Sequence, residues 1–145
     1  MPGSASVQVD DFLAALQAWG ERTTEATQAG VKDGAEVVRK AIQDNLSARS
    51  YPPASPAGEP PALRTGYLHD NVYVRGPLAV DAGWQARIYP STVYARIHEL
   101  SGWAGRGHRS FLPARPYVRT ASESSAQAAG DAVAKAWRQA LPGGG

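Results

Sequence analysis

Most of the residues spaced for chemistry in this chain stand between positions 94 and 120. His98 and Glu99 are adjacent, as they are in the H-E-x-x-H helix that holds zinc through two histidines one turn apart and uses the glutamate as a base. The position one turn on is Gly102, so the second ligand is missing. His69 and His108 are the other two histidines, and neither has helical ligand spacing to His98 or to the other. No G-x-S-x-G turn is present to present a nucleophilic serine, and no G-x-x-x-x-G-K-[ST] loop is present to cradle a phosphate. The glycines between 102 and 107 lack the strand-to-helix setting of a dinucleotide fingerprint. A carboxylate pair for acid–base work would have to join Glu99 to Asp70 or Asp81, and no spacing brings them together. These absences lead us to expect a protein that is not an enzyme, with no metal and no cofactor.

Charge is the stronger signal. Residues 102–119 carry Arg106, His108, Arg109, Arg115 and Arg119 and no carboxylate. A loop of one sign meets an anion, meets a partner's carboxylates, or is simply solvated. Arg106, His108 and Arg109 are therefore candidates to face DNA, with Trp103 and Phe111 close enough in sequence to stack on bases. The whole chain is only mildly basic, at a formal net charge of +2 and a pI near 9.1, weaker than most nucleic-acid binders show.

The elements that must position these residues follow from periodicity. The 145 residues suffice for one domain with one core. There is no cysteine, so neither disulfides nor thiolate metal sites hold the fold. No apolar run reaches a membrane span, and the first residues lack the basic and apolar parts of a signal peptide; a soluble, intracellularly made protein is expected. Asp10 reads as a helix cap, and Phe12, Leu16, Trp19, Thr23 and Ala26 recur at spacings of three and four. Val31, Ala35, Val38, Ile42 and Leu46 continue the stripe, predicting a helix over residues 10–46, about 55 Å long at 1.5 Å per residue, with a break near Gly30 as an alternative. So long a helix overhangs a small core, and Phe12, Leu16 and Trp19 then need another chain to cover them.

Residues 50–61 are proline-rich and read as a linker or as an extended arm that orders against a neighbouring subunit. A turn of helix near residues 63–70 has Thr65 as candidate cap. Residues 71–75 and 84–89 alternate as strands, with Gly76-Pro77 expected to break the first. Val93, Ile97 and Leu100 would share the inner face of a short helix. Ser110-Phe111-Leu112 would return to the sheet, and Pro116 fits the first turn of a C-terminal helix. The expected fold is α+β: a long N-terminal helix, a small antiparallel β-sheet of about three or four strands, a short middle helix and a C-terminal helix, in a single domain over residues 1–145.

Three boxes stand in order: Gly58-Glu59-Pro60-Pro61-Ala62-Leu63-Arg64-Thr65-Gly66-Tyr67-Leu68, then Tyr94-Ala95-Arg96-Ile97-His98-Glu99-Leu100-Ser101-Gly102, then Leu112-Pro113-Ala114-Arg115-Pro116-Tyr117-Val118-Arg119. Together they resemble the tail-completion, or head-tail joining, proteins of the bacteriophage neck in long-tailed phages. The resemblance covers nearly the whole chain with its flanking helices. It implies a virion structural protein, assembled in the host cytoplasm, that forms a ring oligomer of sixfold or twelvefold symmetry. Its implied partners are the head-tail connector and the tail terminator or tail tube proteins, with double-stranded DNA passing through the lumen without sequence-specific binding, and no membrane. It implies that Thr65, Gly66, Tyr94, Glu99, Pro113, Arg115 and Pro116 are structural motif residues.

Candidate interface residues are Phe12, Leu16, Trp19, Tyr51, Arg64 and Trp103. The two prolines around Arg115 aim its guanidinium, and Glu99 is the nearest carboxylate in the boxes for it to pair with. A small nucleic-acid-binding module using residues 102–119 is the alternative function.

Overall fold

A computed structural model describes residues 3–141, with side chains from residue 9 onward. The three glycines that end the sequence, residues 143–145, lie outside the described residues.

Helix α1 (Gly3–Ser47) is followed by the single turn α2 (Tyr67–Asp70), strands β1 (Val72–Val80) and β2 (Gly83–Pro90), and helix α3 (Ala95–Leu100). Strands β3 (Gly102–Ala104) and β4 (Ser110–Leu112) and helix α4 (Val118–Ala140) complete the described residues. The fold is α+β as expected, but its four strands form two separate antiparallel pairs, β1–β2 and β3–β4. Ser110-Phe111-Leu112 pairs with residues 102–104 rather than returning to the first sheet. Strand β1 continues past Gly76-Pro77 instead of stopping there, because the register shifts between Arg75 and Leu78 and absorbs the proline in an irregularity.

Helix α1 runs through Asp10, which is therefore interior to it and not its cap, and through Gly30 without a break. Each glycine costs a helix about 1 kcal/mol relative to alanine. Here packing repays that cost. A Cβ on Gly30 would stand 3.0 Å from the Val133 Cα, and one on Gly34 would stand 3.1 Å from the Ala129 carbonyl oxygen. The glycines let α4 lie directly against the backbone of α1. Asn45 donates to the Tyr117 carbonyl at 3.1 Å and to the Thr120 hydroxyl at 3.0 Å, which sets the other end of the pair. Asn45 with Thr120, Gly34 with Ala129 and Gly30 with Val133 run antiparallel, and the same register puts Ala140 level with about residue 23.

The core is where the two helices meet the first sheet. Ile42, Leu46, Val72, Tyr117 and Ala121 are buried together, with Val38, Leu68, Ile88 and Val118 packed around them. The α1 stripe read from the sequence supplies Ala26, Ala35, Ile42 and Leu46 to the buried set. The expected inner face of α3 is different: Val93 lies before the helix and Leu100 ends it, both exposed, and the buried residue is Ala95. Among the described residues no helix is long and apolar enough to cross a membrane.

Candidate functional site

The three sequence boxes converge on one cleft of about 610 Å³. The first supplies Arg64, Thr65, Gly66, Tyr67 and Leu68, the second Tyr94 and His98, and the third Leu112 and Arg115. Tyr51, Ser55 and Pro61 of the proline-rich segment close it, and among the described residues no carboxylate lines it.

That segment is not a free arm. Ser50 and Leu63 form a parallel bridge, with the Tyr51 N–H donating to the Leu63 carbonyl at 2.9 Å and the Leu63 N–H to the Arg49 carbonyl at 2.7 Å. Residues 50–63 thus make a closed loop. Its far side is held by the Gly58 N–H on the Ala114 carbonyl at 2.8 Å and by the Arg115 Nε–H on the Ser55 carbonyl at 3.0 Å. Ser55 is buried, and an Arg49–Glu59 ion pair at 2.7 Å closes the rim. The prolines leave few N–H groups to satisfy, so a handful of bonds suffices to seat the segment on its own domain.

At the cleft's mouth the Arg64 guanidinium stands 5.1 Å from the centre of the Tyr51 ring, a cation–π pair that joins two of the expected interface residues. Thr65 accepts from the Tyr67 N–H at 3.3 Å, and Gly66 takes a left-handed φ of 77° at the start of α2, a conformation a side chain disfavours. Tyr94 packs near Tyr67, with centroids 6.4 Å apart, and edge-on to His98 at 5.8 Å. Burial, and then the nearby positive Arg115, push the His98 pKa below its ordinary value, so the ring is held neutral.

The expected Arg115–Glu99 pair does not form. Glu99 instead takes the start of α4: one carboxylate oxygen accepts from the Tyr117 and Val118 N–H groups at 2.8 and 2.9 Å, the other from the Arg119 N–H at 3.0 Å. The physical reason lies in the third box. Its helix opens without a local serine, threonine, aspartate or asparagine cap, so the free N–H groups and the positive helix end draw a carboxylate from elsewhere in the chain. Arg115 is turned to the loop, its N–H bound to the His98 carbonyl and its Nε–H to Ser55. Pro113 stands half-buried before it and Pro116 is buried after it. Tyr117 is wholly buried, and burial, the Glu99 charge and Tyr94 push its phenol pKa up, so it stays neutral and donates to the Ala95 carbonyl at 3.3 Å. Sequence reasoning passed over Ser55 and Tyr117; the uncapped P-Y-V-R start was the one available signal for Tyr117.

The remaining expected residues lie on two other surfaces. Phe12, Leu16 and Trp19 are exposed on the part of α1 that extends beyond α4, together with Val9 and Leu13. Trp103 faces Phe111 across β3–β4 at 5.4 Å between centroids, and both are more than half exposed. The opposite face of that hairpin points inward, with Leu112 on the cleft and Gly102 3.6 Å from Ile97 by its notional Cβ. Arg106, His108 and Arg109 sit exposed in the connecting loop. Among the described residues no group of three histidines and carboxylates stands close enough to hold a metal ion.

Comparison of the chain with protein-family profiles, curated proteins and solved structures finds no match.

Proposed function

We propose that this protein is a non-enzymatic structural component of a bacteriophage virion at the head–tail junction, where it forms an oligomeric ring that joins or completes the tail and lets DNA pass. The observation that carries the reading is the uncovered stripe on α1. A 45-residue helix is about 67 Å long at 1.5 Å per residue, while the 23 residues of α4 reach only about 35 Å. The projecting part carries Val9, Phe12, Leu13, Leu16 and Trp19, each half or more exposed. Apolar patches of this kind mark assembly surfaces on soluble domains. The convergence of the three boxes on one cleft supports the resemblance, since it gives them a shared structural role in holding the loop, α3 and α4 together.

In this reading the ring is six- or twelvefold, it contacts the connector and the tail tube or terminator, and DNA in its lumen is not read by sequence. Native mass spectrometry of the purified chain tests it: a closed oligomer of fixed stoichiometry is expected, and a Trp19→Ser variant should lose it while keeping its melting temperature. A monomer at every concentration, or a Trp19→Ser variant that fails to fold, would defeat the reading. A second reading, a nucleic-acid-binding module, has the exposed Trp103–Phe111 pair beside Arg106 and Arg109 in its favour. It requires binding of DNA by the monomer that falls steeply with salt.

A further inference from the structure

We infer that the projecting part of α1 in one copy seats on the β3–β4 hairpin of a second copy, with Phe12, Leu16 and Trp19 against Trp103 and Phe111. The inference rests on the oligomer reading and says which surfaces meet.

Both surfaces are apolar and, among the described residues, uncovered. Val9, Phe12, Leu16, Trp19 and Thr23 alternate at spacings of three and four, a seam of the kind one helix offers to a partner. The hairpin offers two aromatic rings on one face of a two-stranded ribbon. Phe12 to Trp19 is about 10 Å along a helix axis at 1.5 Å per residue, which leaves room for the Trp103 and Phe111 rings, 5.4 Å apart across the ribbon, to sit between them. With an aromatic side chain able to bury roughly 150–250 Å², four aromatics and their leucine neighbours make a patch on the scale of an interface core.

The charges are opposite. Residues 9–25 carry Asp10, Asp11, Glu21 and Glu25 against the single Arg22, all exposed. The hairpin loop carries Arg106, His108 and Arg109 and no carboxylate. A helix of one copy on a hairpin of the next covers both apolar faces and joins opposite charges. Pairing the stripe with its own copy would set one acidic helix beside another and leave Trp103 and Phe111 in water. The helix-on-hairpin contact is also heterologous, each copy using a different face toward each neighbour, which is what lets subunits continue around a ring instead of stopping at two.

The test is a photo-crosslink. p-Benzoylphenylalanine replaces Phe111, an aromatic for an aromatic, and the full-length protein is mixed with an isotopically labelled unsubstituted copy, irradiated and mapped by peptide mass spectrometry. A label-to-unlabelled link into residues 9–23 is the expected result. An oligomer that persists with links elsewhere, or with none, overturns this contact and leaves the oligomer reading standing. Absence of any oligomer from the unsubstituted protein overturns both. Arg106→Glu with Arg109→Glu should weaken association by about tenfold or more, since charges at an interface rim set the encounter and its salt dependence. An unchanged association constant overturns the contact as well.

Discussion

Removing the Glu99 carboxylate should release the start of α4. In Glu99→Ala three N–H groups, those of Tyr117, Val118 and Arg119, lose their acceptor at once. Hydrogen bonds to a charged group contribute about 1.5–3 kcal/mol each, but three sharing one carboxylate do not add in full, and water can replace the acceptor for the exposed Arg119. It cannot easily do so for Tyr117, which has no exposed surface. A conventional cap is worth about 1 kcal/mol, and a carboxylate at a partly buried helix end up to about 2. We therefore expect Glu99→Ala to cost about 3–4 kcal/mol, near 10 °C in melting temperature for a domain of this size. Glu99→Gln, which keeps an acceptor oxygen but loses the charge, should cost about half as much. Urea unfolding followed by circular dichroism measures both, with an unchanged denaturant slope showing that the native state is otherwise intact. A cost for Glu99→Ala below about 0.5 kcal/mol, the range of an ordinary surface change, would refute the argument that this carboxylate holds the helix.

Arg115→Lys keeps the charge but loses the Nε–H that reaches the Ser55 carbonyl; it should cost about 1 kcal/mol and speed proteolytic cleavage within residues 50–61, while an unaltered cleavage rate would show that the loop is held without it. Because burial and Arg115 lower the His98 pKa from 6.5, the unfolded chain takes up this proton first as pH falls. Stability from this group is complete above pH 6.5 and declines as pH drops through that value toward the lower folded one. His98→Gln should flatten that part of the melting-temperature profile, and an equally steep decline in the variant would assign it to other groups.

The periodic elements were legible because their signal is local. Spacings of three and four from Phe12 to Ala26 and again from Val31 to Leu46 are enough to define the face of α1, and the prolines at 52, 53, 56, 60 and 61 keep residues 52–61 out of helix and central strand. The three boxes could be read in order along the chain, but that they surround one cleft could not, since nothing in a linear sequence relates Arg64 to Arg115. The same limit explains the break considered at Gly30: helix propensity is a property of α1 alone, whereas the close approach of Val133 that makes the glycine useful belongs to α4. It explains Glu99 as well. Glu99 had one partner legible in the boxes, the Arg115 guanidinium, and gains another only in the fold, the uncapped start of α4. Tertiary structure chose between them because three converging N–H groups at a positive helix end bind a carboxylate in a geometry that a single side chain, already turned toward the Ser55 carbonyl, does not offer.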